Sequence, residues 1–323
     1  MDFLNYNFGH DEWHNSSRAL KEHLWSRNGP VRQRAPLSFG PMPSPRQNHY
    51  GRPIPADNSR FTTYSVRFRS SATYLKTLFP TPEFSFASPG TVAEASFRCT
   101  ELSEMGWLGG GGYKYLGLWI HGVQYTRKDG SKVHGSFLVV LLESLADPII
   151  TGREELGMPK LFCDIDVSTK EAATTSIECS WRGAAFLRMR MDGLKEEVVA
   201  EKGEGETNGH GPGPAGPPGP PKPVEEGTMF YRYIPAVGKP GEADAAYPVL
   251  IREGSGGSTP RVMEKISRSQ NSRLEFEGGD WQTLPTLHHI AAGLAEMPVH
   301  GVVEAKVEEG RGVDDLANAV RIE

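Results

Sequence analysis

Two neighbouring stretches of sequence decide the fold class: YKYLGLWIHGVQYT at residues 113–126 and GSFLVVLL at residues 135–142. The first is long and rich in aromatic residues, and the second is almost wholly apolar. Short runs of aromatic and β-branched residues next to glycine are typical of strands. We therefore predict a strand in each stretch.

Similar patterns continue along most of the chain. In AFLRMRM, residues 185–191, successive side chains would lie alternately on the two faces of a strand. Further strands are predicted at residues 61–69, 177–181, 229–237, 247–251, 261–266, 273–276 and 302–307. Helical patterns are short, as at residues 72–79 and 287–297, each of which is followed by a proline. Ten or so strands with few short helices predict a mainly β fold, specifically a closed antiparallel β-barrel.

The composition argues against several classes of protein. The 323 residues contain 35 Lys and Arg against 40 Asp and Glu, a net charge of −5. This balance does not indicate the basic face of a nucleic-acid-binding protein, and we expect no nucleic-acid partner. Cys99, Cys163 and Cys179 have no C-x-x-C spacing, and we expect neither a disulfide scaffold nor a metal site. The longest apolar run, residues 137–142, is too short to span a membrane. We therefore expect a cytoplasmic protein with no membrane partner.

Two segments interrupt the strand pattern. Residues 1–57 contain seven prolines among polar residues, and we interpret them as an N-terminal extension. Residues 203–223 contain seven glycines and seven prolines, a composition typical of a disordered loop. The expected organisation is therefore a Pro-rich extension followed by one β domain at residues 58–323, with an insertion at residues 203–223.

The residues that carry chemistry follow the apolar strand, in DPIITGREELGMPKLF at residues 147–162. Lys160 lies between apolar residues on both sides, and burial lowers the pKa of a lysine. A fall from about 10.4 to about 7 is roughly 3.4 pH units, a shift that desolvation alone supplies. The neutral amine that results condenses with ketones to form imines. The alternative is an exposed ammonium paired with Glu154, Glu155 or Asp164.

The motif around Lys160 resembles the acetoacetate decarboxylase family. Gly152-Arg153-Glu154 is followed, after four residues, by Pro159-Lys160, and GREELGMPKLFCDID at residues 152–166 is most similar to fungal members. The resemblance implies a closed, double-cone β-barrel that assembles as a homo-oligomer. It also implies a carboxy-lyase without a cofactor, acting on a small 3-oxo acid, and the fungal character suggests specialised metabolism on a polyketide-like or acetoacetate-like substrate.

The resemblance also implies roles for individual residues. Lys160 would be catalytic: it attacks the ketone, and the protonated imine accepts the electrons released when the carboxylate leaves. Arg60 matches the family arginine that contacts the substrate carboxylate, and Tyr115 begins the family's Tyr-x-Glu. The full set of candidate substrate-binding residues is Arg60, Tyr115, His121, His134, Arg153 and Glu154. Within that set Arg153 and Glu154 have an alternative role inside their own turn.

The sequence departs from the family pattern at its acids. The family's second lysine is Leu161 here, and Tyr-x-Glu has become Tyr115-Leu116-Gly117. The other family glutamate falls near residues 97–99, which contain no carboxylate. The two histidines of the candidate set lie on predicted strands and are possible replacement acid–base groups. The alternatives to decarboxylation are a Schiff-base aldolase or dehydratase and a non-catalytic barrel that binds a small ligand.

Overall fold

The computed structural model describes residues 31–54, 59–170, 174–197, 226–252, 261–312 and 319–323. The insertion at residues 203–223 and most of the extension, residues 1–30 and 55–57, lie outside these ranges. The strands are β1 (Arg60–Ser71), β2 (Phe84–Phe86), β3 (Val92–Ser103), β4 (Tyr113–Thr126), β5 (Lys132–Glu143), β6 (Lys160–Phe162), β7 (Asp164–Lys170), β8 (Thr174–Trp181), β9 (Ala184–Asp192), β10 (Lys195–Glu197), β11 (Glu226–Pro235), β12 (Ala243–Arg252), β13 (Val262–Arg268), β14 (Asn271–Phe276), β15 (Gly301–Arg311) and β16 (Ala319–Arg321). The prediction of a mainly β fold is confirmed.

The helices of the described residues are short. They are α1 (Ala72–Lys76), α2 (Ala146–Thr151) and α3 (His288–Glu296), with 3₁₀ turns at Leu37–Phe39 and Gly106–Leu108 and a π-helical turn at Gly152–Leu156. None of the helices in this part of the chain is long and apolar enough to cross a membrane.

The strands form two sheets. The larger has the order β10-β13-β15-β1-β3-β4-β5-β11-β12-β16, with β2 added to β4 and β6 added to β5, and the smaller has the order β14-β9-β8-β7. Most neighbouring strands are antiparallel, but β5 has two parallel partners at different places along its length. Its residues 134–137 pair with β11, and its residues 141–143 pair with β6.

The pairing differs from the predicted closed antiparallel barrel. Among the described residues, β10 and β16 end the large sheet without pairing with each other, and two of its pairings are parallel. Alternation of side chains determines which residues form strands and which face each one occupies. Closure depends instead on the tilt and stagger of the strands, which are not encoded in that alternation.

The two faces of the large sheet carry different clusters of apolar side chains. The main core includes Phe68 and Phe97 from the large sheet and Ile177 and Phe186 from the small one. A smaller cluster contains Trp119, Leu138, Leu141, Leu156, Met158, Phe230 and Val249. Lys160 is the cross-strand partner of Leu141, so its side chain lies on the face of this smaller cluster.

Candidate active site

A buried ion pair joins the ends of β5 and β6. Glu143 lies two residues after Leu141 on β5, and Lys160 is paired with Leu141, so the two charged side chains share one face. Lys160 Nζ is 2.7 Å from Glu143 Oε1, and the two side chains are 7% and 1% exposed. The ammonium nitrogen also donates to the carbonyl oxygen of Pro148 at 3.0 Å. This pair is the centre of the candidate site.

The π-helical turn fixes the position of Lys160. A Cβ atom added to Gly152 would lie 2.3 Å from Lys160 Cε and 2.6 Å from Nζ, so the lysine passes directly against this glycine. Arg153 closes the turn on the other side, because its Nη1 donates to the carbonyl oxygen of Lys160 at 2.8 Å. The Gly-Arg pair of the motif therefore shapes the path of the lysine side chain.

Burial shifts the pKa values of both partners towards neutrality. It lowers the pKa of Lys160, against the opposing charge of Glu143, and it raises the pKa of Glu143, against the opposing charge of Lys160. Both shifts make the charged forms of the two groups less favourable than they are in water. An uncharged amine is the nucleophilic form of lysine, and the acid is able to donate a proton.

Two tyrosines adjoin the pair. Tyr115, one of the candidates from the sequence, is the cross-strand partner of Glu143, which places it beside the pair. The ring of Tyr113 lies 6.3 Å from that of Tyr115, and burial together with the charge of Glu143 raises the pKa of Tyr113 well above its ordinary value. Glu143 Oε2 is buried and has no hydrogen-bond partner among the described residues. The site thus contains an unpartnered carboxyl oxygen next to the amine.

The candidate histidines lie elsewhere on the sheet. His121 is hydrogen-bonded to Ser96 Oγ at 2.5 Å and Ser136 Oγ at 2.9 Å, and burial, helped by Arg98, lowers its pKa to about 4. Ser136 precedes Leu141 by five residues, which is about 16 Å along a strand. His134 lies two residues further away, opposite Gln124. Neither histidine is brought into contact with Lys160.

Two other candidates from the sequence have partners other than the amine. Arg60 is half exposed at the start of β1 and forms an ion pair with Glu264 at 2.7 Å. The side chain of Glu154 is exposed, and its carbonyl oxygen accepts a hydrogen bond from Arg232 at 2.9 Å. Of the seven candidates, the structure brings together Lys160 and Tyr115, with Arg153 bound to the lysine backbone.

Glu143 is the residue that the sequence analysis missed. The available signal was its position, since it is an acid placed directly at the end of the most apolar strand. A carboxylate at the last residue of a buried strand is expensive to bury without a partner. The motif instead drew attention to Glu154 and Glu155, which belong to the turn.

The turn also binds the N-terminal arm, defined here as residues 31–54. Arg34 Nε is 2.9 Å from Glu155 Oε1, and Arg46 Nη2 is 2.6 Å from Glu155 Oε2. The three side chains are 6%, 10% and 4% exposed, in the order Arg34, Arg46 and Glu155. A segment that the sequence assigns to an extension therefore contacts the turn that positions the lysine.

Two cavities lie near the ends of the strands that carry the pair. One of about 440 Å³ is lined by Pro159 and Leu138, among others, and one of about 490 Å³ is lined by Tyr113, Ser144 and Arg60, among others. Pro159 and Ser144 are the direct chain neighbours of Lys160 and Glu143, whose own side chains line neither cavity. A substrate in either cavity would lie next to the strand ends that carry the pair.

These features define a class of protein: a mainly β fold in which a buried lysine and a carboxyl group lie next to a Gly-Arg-Glu turn. The family model described as "Acetoacetate decarboxylase (ADC)" matches residues 39–311, and the chain belongs to this family. No curated protein matches the chain in sequence.

Solved structures resemble the fold at low sequence identity. The enduracididine biosynthesis enzyme MppR complexed with pyruvate is 13% identical, with a TM-score of 0.54, over 91% of this chain and 98% of that one. MppR has also been solved with the condensation product of pyruvate and imidazole 4-carboxaldehyde, with a TM-score of 0.51, 12% identity and coverage of 84% and 91%. Acetoacetate decarboxylase from Legionella pneumophila is 15% identical, with a TM-score of 0.51, over 89% and 98% of the two chains.

Proposed function

We propose that the chain is a cofactor-independent lyase that forms an imine between Lys160 and a 3-oxo acid. The observation that carries the proposal is the buried contact of Lys160 Nζ with Glu143 Oε1 at 2.7 Å, beside the second oxygen of the same carboxyl group, which has no hydrogen-bond partner in the described part of the chain. This arrangement supplies a nucleophile and a proton donor at one point. Membership of the acetoacetate decarboxylase family supports the lyase class.

The first half of the reaction uses both members of the pair. The neutral amine of Lys160 attacks the ketone carbon, and the oxygen of the former carbonyl becomes a hydroxyl group in the carbinolamine. Protonated Glu143 donates to this hydroxyl, which leaves as water, and the nitrogen lone pair forms the protonated imine. Glu143 is then a carboxylate next to a cationic imine, so the charges remain balanced.

The second half breaks the carbon–carboxylate bond. The electron pair of that bond moves into the protonated imine, CO₂ leaves, and an enamine remains. Protonation of the enamine carbon and hydrolysis by one water release a ketone and regenerate the amine. The net reaction consumes one 3-oxo acid, as its carboxylate, and one proton, and yields one ketone and one CO₂.

A second candidate keeps the imine and changes the bond that reacts. Gly117 replaces the glutamate of the family's Tyr-x-Glu motif, so an acid available for the decarboxylation steps is missing. MppR, which has a similar fold, has been solved with a condensation product of pyruvate. An enamine on Lys160 that attacks an aldehyde carbon would give such aldolase or dehydratase chemistry without loss of CO₂.

Borohydride trapping tests the imine. With acetoacetate as probe, hydride adds to the imine carbon and leaves a stable secondary amine, which peptide mass mapping locates on the chain. We expect the adduct on Lys160, its disappearance in Lys160→Arg and its retention in Lys114→Arg, a matched change at a half-exposed lysine paired with Glu101. An unlabelled Lys160 would refute imine formation and favour a non-catalytic binding protein.

Product analysis then separates the two imine reactions. CO₂ release from a panel of 3-oxo acids of increasing size, with specialised metabolites among them, is measured beside condensation of pyruvate with aldehydes. We expect CO₂ release, and Lys160→Ala should abolish turnover while circular dichroism stays unchanged. Condensation without CO₂ would replace the decarboxylase by the aldolase or dehydratase, and full activity in Lys160→Ala would overturn both.

A further inference from the structure

Tyr113 adjoins both Glu143 and a cavity. Strands β3, β4 and β5 pair regularly here and Tyr115 lies opposite Glu143, so Tyr113 is a diagonal neighbour of Glu143 on the same face of the sheet. Diagonal neighbours are about 7–8 Å apart, within reach of an aromatic side chain. Tyr113 also lines the cavity of about 490 Å³, together with Ser144, the residue that follows Glu143. It is therefore in a position to connect the carboxyl group with that cavity.

The carboxyl group needs such a connection. The side chain of Glu143 is 1% exposed, and its Oε2 has no hydrogen-bond partner among the described residues. Neither Glu143 nor Lys160 lines either of the two cavities. In the proposed reaction Glu143 gives its proton to the carbinolamine, and each turnover consumes one proton. Because solvent does not reach the carboxylate directly, the replacement proton has to come through a neighbouring group.

The hydroxyl group of a tyrosine is suited to this transfer. It is both a donor and an acceptor, so it passes on its own proton while it takes up another. Burial, followed by the charge of Glu143, raises the pKa of Tyr113 well above its ordinary value, so the hydroxyl stays protonated at neutral pH. A tyrosinate is correspondingly unfavourable at this position, and the two proton transfers therefore occur together.

We propose that Tyr113 passes the proton consumed in each turnover from the cavity to Glu143. This inference rests on the proposed imine chemistry at Lys160. After the carbinolamine has lost water, the Tyr113 hydroxyl donates its proton to the Glu143 carboxylate, directly or through one water molecule, and takes a proton from water in the cavity. Solvent replaces the proton of that water. Glu143 is then a carboxylic acid again and protonates the enamine carbon.

Tyr113 suits this role better than the other hydroxyl groups nearby. Tyr115 lies opposite Glu143 but lines neither cavity. Ser144 lines the cavity, but its Oγ accepts a hydrogen bond from the backbone nitrogen of Lys114 at 2.9 Å. Tyr113 is on the face of the carboxyl group and also lines the cavity.

Deuterium exchange into acetone, the ketone that acetoacetate yields, tests the relay in D₂O. The protonated imine of acetone with Lys160 loses a methyl proton to the Glu143 carboxylate and becomes the enamine. Tyr113 exchanges this proton for a deuteron from the cavity, and Glu143 returns the deuteron to the carbon. Mass spectrometry measures the deuterium content of the acetone. Borohydride trapping at Lys160, after equilibration with acetone, measures imine formation separately.

Tyr113→Phe removes the hydroxyl group and keeps the ring. We expect the rate of exchange to fall by about 100-fold or more, the usual contribution of a positioned acid–base group, while the trapped fraction of Lys160 stays the same. Tyr125→Phe is the matched control, because it removes the hydroxyl of another buried tyrosine on β4, whose ring packs 4.9 Å from that of Phe84. This variant should exchange at the normal rate.

Chemical rescue separates a relay from a structural role. Tyr113→Ala should lose exchange as Tyr113→Phe does, and added phenol should restore part of it. Toluene fills the same space but has no hydroxyl group, so it should restore nothing. Equal rescue by phenol and toluene would mean that Tyr113 only fills space, and the relay would be wrong.

The outcomes separate this inference from the proposed function. A normal rate of exchange in Tyr113→Phe overturns the relay while imine formation stands. A fall in exchange that is matched by a fall in trapping also overturns it, because the hydroxyl would then act before the enamine forms. Absence of trapping at Lys160 in the unaltered protein, with acetone and with acetoacetate, removes the imine chemistry itself.

Discussion

Lys160 and Glu143 carry groups that water would ionise, and the protein removes that water from both. The two side chains are 7% and 1% exposed, and among the described residues their polar partners are each other and the carbonyl oxygen of Pro148. A buried ion pair repays its desolvation poorly, which is why both pKa values shift towards the neutral forms. The desolvation that makes the pair poor for stability also favours the uncharged, nucleophilic form of the amine.

Substitution of Glu143 by glutamine should move the reactivity of Lys160 to lower pH. Burial lowers the pKa of Lys160, and Glu143 raises it, so removal of the carboxylate leaves burial unopposed and the pKa falls further. 2,4-Pentanedione forms a stable enaminone with a neutral amine, so its rate of labelling of Lys160 falls as the pH drops below the pKa of the amine. This fall, the acidic limb of the pH profile, should therefore lie at lower pH in Glu143→Gln than in the unaltered protein. The measurement is this rate between about pH 5 and about pH 9.

Glu101→Gln is the matched control for that shift. Glu101 lies 3.6 Å from Lys114 and accepts a hydrogen bond from Tyr64, so it supports a different lysine. The limb should stay in place in this variant. A limb that moves to higher pH in Glu143→Gln would contradict the assignment of Glu143 as the partner of the reactive amine.

At the scale of the element, the π-helical turn and β6 work together. The turn ends at Gly157, whose φ of +80° is favourable for glycine alone, and β6 then adds to β5 in parallel. A parallel addition of three residues has few hydrogen bonds of its own. The bond from Arg153 to the Lys160 carbonyl oxygen therefore matters for where the strand begins.

Gly152→Ala should displace the lysine without unfolding the turn. Gly152 has helical dihedral angles, φ −69° and ψ −36°, which alanine adopts without strain, but the new methyl group would meet Lys160 Cε at 2.3 Å. A displacement of about 1 Å in a reacting group costs roughly 100-fold in rate. We expect a loss of that size in the rate of labelling of Lys160, measured with acetoacetate and borohydride and with 2,4-pentanedione.

A glycine in open space provides the comparison. Gly301 on β15 has no atom within 4 Å of an added Cβ, and Gly301→Ala should label at the normal rate. Both variants should give circular dichroism spectra like that of the unaltered protein. Normal labelling in Gly152→Ala would show that the lysine has another route past the turn.

The sequence predicts elements better than it predicts their partners. The strand at residues 113–126 is found with its predicted bounds, because aromatic and apolar residues recur along it from Tyr113 to Tyr125. Strand β3 was not predicted, since its inward side chains include Ala95 and Cys99, small residues with weak strand preference. The pairing of Lys160 with Glu143 depends on a parallel addition to β5, and periodicity contains no information on strand order.

At the scale of the whole molecule, the arm and the β domain are joined by charge. Arg46 and Glu155 are 109 residues apart in the chain, and their contact joins the arm to the π-helical turn. The extension identified from composition thus includes residues that contact the turn next to Lys160. Its proline content is consistent with a segment that holds a fixed path without belonging to a sheet.

Glu155→Gln should release the arm and destabilise the protein. The change leaves two nearly buried guanidinium groups without their carboxylate, and the loss of one partner from a buried ion pair costs about 3–5 kcal/mol. The free energy of unfolding in urea measures this cost, and limited proteolysis within residues 31–54 detects the released arm. Glu154→Gln removes the same charge one residue earlier, at an exposed side chain, and should change stability by less than about 0.5 kcal/mol. Equal unfolding free energies in the two variants would mean that the arm is held by its backbone turn alone, and the two arginines would then have to find other anions.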